Sequence, residues 1–239
     1  MRFIIMHKTN GHWESGAVPS SELIARVRAL LGELAAVGAL LAAEGLRSSA
    51  EGVRLKFSEG KRDVITGPFE RGNELPAGFS IVQAGSIDEA IDWASRQAEI
   101  LGDDELDIRP VTEPWDIGMT PKPATITTRR YMVLRKATAV TEGTAPTSTQ
   151  PAALTQLMDE TTPGMHLVTE KMLPSARGRR YKNSSNGVSV IDGPFVETKE
   201  LIGGYVVVRA NSLDDADRWA RLYLNVVEAD EVDVRELDG

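Results

Sequence analysis

Apolar positions recur along this chain with two spacings, and the changes from one to the other mark its elements. Residues 2–8, RFIIMHK, are apolar on both alternating faces, which predicts a strand buried on both sides. From Ser20 and Ser21 onward the spacing becomes helical, with Leu23, Val27, Leu30, Leu31, Leu34 and Val37 on one face. Gly38 stands where a left-handed C-cap would end that helix. Residues 39–46, ALLAAEGL, read as extended. VRLKFS then alternates apolar with basic, a Glu-Gly turn follows, and DVITGPF and GFSIVQA are further strands. A second helix opens at Ser86 with Glu89 three residues on, a capping-box pattern, and carries Ala90, Trp93 and Ala94 on one face. ELDIRPV alternates again and closes the series.

The same series returns. Sliding the chain by 126 positions aligns residues 30–113 with 156–239 without a gap, and about a third of the positions are identical. Ser49, Ala50, Gly52, Arg54 and Lys56 meet Ser175, Ala176, Gly178, Arg180 and Lys182. Gly67-Pro68-Phe69 meets Gly193-Pro194-Phe195, Glu74 meets Glu200, Gly78 meets Gly204, and Trp93 meets Trp219. Asp107 and Arg109 meet Asp233 and Arg235. Between the copies lies TEPWDIGMTPKPATITT, whose prolines and threonines favour extended backbone. The expected organisation is a first domain over 1–118, a linker over 119–128 and a second domain over 129–239, the second with a shorter first helix near PAALTQLMDE. The order β, α, several β, α, β predicts an α+β fold of two ferredoxin-like units. Their helices cover one face of each sheet, so the other apolar face calls for a partner sheet, and the other half is the obvious one.

Composition narrows the function. With no cysteine there is no disulfide, thiolate nucleophile or sulfur-ligated zinc site. Three scattered histidines, His7, His12 and His166, do not form a metal-binding pattern, and no cofactor motif is present. A net charge of −8 with interspersed signs disfavours direct binding of nucleic acid. No apolar run reaches the roughly 18 to 20 residues of a membrane span, and the short apolar N-terminal stretch reads as a strand rather than a signal peptide. A cytoplasmic protein with no membrane partner is expected.

DGPFVETKELIGGYVVVRANSLDDADRWA followed by VDVREL resembles the DGPF branch of the YCII-related family, and GPF…GFSIVQAGSIDEAIDWA…LDIRPV resembles a diverged second copy. The resemblance implies two ferredoxin-like units packed sheet to sheet as a dimeric α/β-barrel, here an intramolecular pseudo-dimer with sheet edges left for further association. It also implies a small-molecule role, since a few members of the wider family are similar to lyases or dehydrochlorinases, and a regulatory context. In the enzyme-like branch a histidine on the first helix works with a nearby aspartate. Neither SELIARVRALLGELAAVG nor PAALTQLMDETTPG contains a histidine.

The candidate catalytic residues are therefore Asp192, His7 and His166. Asp192 differs from Thr66 of the first copy, although an Asp before Gly-Pro also serves as a turn former, with Gly193 allowing positive φ and Pro194 fixing the exit. His166 aligns with Leu40, a position for a packed or surface side chain. The candidate ligand-binding residues are Arg54, Glu74, Arg180 and Glu200, kept in both copies. The simplest reading of Arg54/Lys56 and Arg180/Lys182 is a solvated strand face. The alternative is a guanidinium fork that orients an anionic ligand. The expected function is a small-molecule-binding or regulatory module. The alternative is a lyase- or isomerase-type enzyme with an Asp, helped by a His, as acid/base in the second half.

Overall fold

A computed structural model describes residues 1–70, 75–138, 141–142, 147–194 and 201–239. The first half supplies β1 (Arg2–Lys8), α1 (Gly11–Glu14), α2 (Ser21–Ala36), β2 (Leu40–Gly45), β3 (Val53–Ser58), β4 (Lys61–Thr66), β5 (Pro76–Ala84), α3 (Ile87–Leu101) and β6 (Glu105–Pro110). The second supplies β7 (Arg129–Lys136), α4 (Gln150–Glu160), β8 (His166–Lys171), β9 (Arg179–Ser184), β10 (Gly187–Asp192), β11 (Ile202–Arg209), α5 (Leu213–Val226) and β12 (Glu231–Glu236). Local signals set these bounds. The Ser20, Ser86 and Ser212 hydroxyls accept from the backbone N–H groups of Leu23, Glu89 and Asp215. The Glu89 carboxylate reaches back to the Gly85 N–H at 2.7 Å. Gly38 takes φ +69°, so the chain leaves α2 through the left-handed conformation its position predicts.

The strands form two six-stranded antiparallel sheets, ordered β10-β9-β12-β1-β11-β2 and β4-β3-β6-β7-β5-β8. This mixed α/β architecture is compatible with two ferredoxin-like units. Its compact units are not the two sequence halves, however. One comprises Met1–Leu46 with Met172–Gly239, the other Arg47–Lys171. The β1–α2–β2 segment of the first half completes the sheet that β11–α5–β12 of the second half begins, and β7–α4–β8 does the same for β5–α3–β6. We refer to them as unit 1 and unit 2.

In unit 1, helices α2 and α5 cover a core that includes Phe3, Ile5, Leu30, Leu34, Val206 and Leu224. In unit 2, α3 and α4 cover one that includes Leu55, Trp93, Leu106, Val133 and Leu157. Fully burying side chains of this size contributes roughly 1.5–3 kcal/mol each. Trp93 is buried as its helical spacing predicts, whereas its counterpart Trp219 is only partly so. Among the described residues no helix is long and apolar enough to cross a membrane.

Candidate functional site

The Gly-Pro-Phe corners have a packing explanation. A Cβ on Gly67 would stand 1.8 Å from the Ser49 carbonyl oxygen, and one on Gly193 would stand 1.7 Å from that of Ser175. Neither glycine has positive φ. The expectation that Gly193 supplies a left-handed turn is thus corrected: close backbone approach demands glycine there. The Gly67 and Gly193 N–H groups donate to the Gly52 and Gly178 carbonyls at 3.1 and 3.0 Å. Gly52 and Gly178 are themselves pressed against the Ile108 and Val234 carbonyls. Buried Arg109 and Arg235 donate to the Arg47 and Leu173 carbonyls. Most of the strongest repeat matches therefore build one knot in each unit.

Asp192 lies at the end of β10, directly across from Arg179 on β9. Arg179 Nε donates to its carboxylate at 2.8 Å and Nη1 to Asp214 at 2.5 Å, which raises the Arg179 pKa further above its ordinary value. The Asp192 side chain is 78 % exposed. In the first copy the same cross-strand pair is Val53 and Thr66. Both members of the ion pair have changed together, which the sequence comparison at Asp192 alone did not reveal.

Arg54 and Arg180 are not on a solvated face. They are 5 % and 6 % exposed, which overturns that reading, while Lys56 and Lys182 beside them do reach solvent. Arg54 grips Asp107 through two bonds of 2.7 and 3.0 Å, and Arg180 grips Asp233 through two of 2.7 and 2.9 Å. The Arg54 guanidinium also lies over the Phe69 ring at 4.7 Å. Each cluster includes a lysine from the exchanged strand: Lys136 lies 3.0 Å from Asp107 and Lys8 lies 3.0 Å from Asp233. Glu105 and Glu231 complete the clusters. Burial pushes the Asp233 carboxyl upward, but Lys8 and Arg180 outweigh it and hold the group below its ordinary range. Glu105 is likewise raised by burial and brought below its ordinary value by Lys136 and Arg54. Glu74 and Glu200 lie outside the described residues.

Repeat matching missed Lys8 and Lys136, because the first strands of the two copies are offset by two more residues than the rest. Their equivalence appears in the register: Phe3 and Tyr131 face Val208 and Val82, and Lys8 and Lys136 face Ile202 and Pro76. A two-residue gap in the repeat alignment would have found them.

The histidines stand apart from these clusters. His7 lies on the helix-facing side of β1, with Nδ1 2.8 Å from the Tyr223 hydroxyl, and burial pushes that phenol's pKa well up. Its ring fills the space above Gly203 and Gly204, whose absent Cβ atoms would stand 2.6 and 2.8 Å from it. Asp192 and His7 are separated by β9 and β12, about 14 Å of sheet, so they cannot act as one acid/base pair. His166 belongs to unit 2, where it stacks on Trp93 and meets the Thr169 hydroxyl at 2.9 Å; partial burial lowers its pKa. From Thr169 a hydrogen-bonded file continues through Ser80 to the buried Gln97. Among the described residues no three metal-ligating side chains gather.

No curated protein and no solved structure gives a significant match. The model of the YCII-related domain matches residues 1–113 and again residues 130–236, nearly the whole chain. The chain therefore belongs to the YCII-related family.

Proposed function

We propose that this protein is a small-molecule-binding or regulatory module of the DGPF branch, taking a small anionic ligand at the cation–carboxylate clusters around Arg54 and Arg180. One observation carries the reading. Both copies keep a buried Arg, Lys and Asp together with a partly buried Glu, although about two thirds of the aligned positions have diverged. A buried ion pair gains little over a well-packed apolar replacement, so its upkeep in both copies supports a role with a polar ligand. The face-to-face barrel packing is part of the same proposal. Its support is the sequence of the first strand, RFIIMHK, which is apolar on both alternating faces. As repeat units, 1–118 and 129–239 joined by 119–128 are supported by the proline-rich link.

The test is calorimetric and thermal titration of the whole chain with a panel of small carboxylates and phosphates at constant ionic strength. A ligand at a hundred times its Kd stabilises the native state by about 2.7 kcal/mol. The expected result is saturable stabilisation that the double variant Arg54→Met/Arg180→Met abolishes. If no anion moves the midpoint, the reading is wrong. A lyase- or isomerase-type activity is favoured by a different observation, the His7–Tyr223 hydrogen bond. It would show as turnover lost in His7→Gln but unchanged in Asp192→Asn.

A further inference from the structure

The two clusters match residue for residue, yet their lysines are not equally satisfied. In unit 2, Lys136 Nζ lies 2.8 Å from Glu105 and 3.0 Å from Asp107, so two carboxylates share its three donors. In unit 1, Asp233 at 3.0 Å is the only carboxylate in ion-pair range of Lys8 Nζ among the described residues, and the ammonium has no hydrogen-bond partner of good geometry. Its side chain is 2 % exposed, so water at the surface does not take the remaining donors. The difference lies in the glutamate. Both hold the neighbouring strand lysine, Glu105 at 3.2 Å from Lys56 and Glu231 at 3.1 Å from Lys182, but Glu105 stands 3.5 Å from Arg54 and 2.8 Å from Lys136, whereas Glu231 stands 3.0 Å from Arg180. An ammonium buried with unmet donors is costly, and such groups in native structures mark a missing ion, water or ligand. Among the described residues each cluster sets three cations against two carboxylates, Lys8, Arg180 and Lys182 against Asp233 and Glu231 as Lys136, Arg54 and Lys56 against Asp107 and Glu105, so the charge admits an anion and the unmet donors of Lys8 assign it to unit 1.

We propose that Lys8 of unit 1 is the anchoring group for one carboxylate or phosphate oxygen of a small ligand, seated where Glu105 sits against Lys136 in unit 2. The inference rests on the anion-binding reading above and deepens it, since it gives the chain one such site and not two.

Inorganic phosphate and succinate, titrated separately into the whole chain by calorimetry against a chloride background of constant ionic strength, test it. The expected result is one anion per chain, with the stronger of the two arms identifying the head group. Lys8→Met should weaken binding roughly tenfold or more, as loss of a charge-assisted hydrogen bond does, while Lys136→Met leaves it within about twofold of wild type by the same scale. Should Lys8→Met not fold, the lysine-ammonium NMR signals of the wild type read the same contact: the Lys8 signal moves and saturates with anion, and the Lys136 signal does not. Binding that survives Lys8→Met, that depends on Lys136 or Arg54 instead, or that leaves the Lys8 signal still overturns this inference and leaves anion binding standing. Absence of saturable binding to either anion overturns both.

Discussion

At the residue scale, the glycine pair of β11 divides into two different requirements. A Cβ on Gly204 would meet the Glu44 carbonyl oxygen at 2.6 Å, just as one on Gly78 would meet that of Glu170 at 2.5 Å. Both copies need glycine there because backbone is in the way. Gly203 has no such neighbour; its Cβ would meet His7 Nε2 at 2.6 Å, a side chain that can be removed. The first copy has Ala77 at this position, and the β1 counterpart of His7 is Arg135, whose flexible side chain reaches Asp103. Gly203→Ala should therefore cost about 1–3 kcal/mol, the usual range for overpacking. In a His7→Ala background the cost should largely vanish, a coupling that a double-mutant cycle in urea measures directly. An equal cost in both backgrounds would mean that His7 is not what requires the glycine. This pairing was not legible in the sequence, because His7 and Gly203 lie in different halves and only the strand exchange brings them together.

At the scale of elements, the hairpins β3–β4 and β9–β10 are the same structure with different surface charge. Arg179 and Asp192 form a cross-strand pair that also engages Asp214 at the start of α5, tying the hairpin to the helix. With Asp192 this exposed, the pair contributes at most about 1 kcal/mol. Asp192→Asn should lower the unfolding free energy by no more than that, with an effect that shrinks at high salt; a loss of several kcal/mol would mean that Asp192 does more than hold this corner. The elements themselves were largely legible: alternation gave the strands, 3.6-residue spacing with serine caps gave the helices, and Gly38 gave the end of α2. The misreading was of environment. A strand such as VRLKFS alternates apolar with basic whether its basic residues face water or a buried carboxylate. Arg54 finds Asp107 on the neighbouring strand β6, a partner fixed by register and not by local pattern.

At the scale of the molecule, each sheet needs strands from both halves, and this follows from the symmetry of the repeat. Because β1 and β7 present nearly the same apolar pattern, either could serve as the strand between the fifth and last strands of either copy; local pattern cannot distinguish them. The chain pairs β1 with β11 and β12, and β7 with β5 and β6. On β1 alone, Phe3, Ile4, Ile5 and Met6 are fully buried, each contributing roughly 1.5–3 kcal/mol. Removing β1 and β7 from their sheets would therefore expose two central strands at once. The exposed stretch 118–125 is the natural place to sever the halves without touching either sheet. A specific protease site inserted between Thr120 and Pro121, cut after folding, should leave two fragments that migrate as one particle under native conditions and separate only in denaturant. The far-UV spectrum should be unchanged by the cut, and the unfolding midpoint should fall only modestly while becoming dependent on protein concentration, as expected when one chain becomes two. If the fragments instead separate in native buffer, each keeping its secondary structure, then each half pairs its own strands and the reciprocal exchange is not how the chain folds in solution.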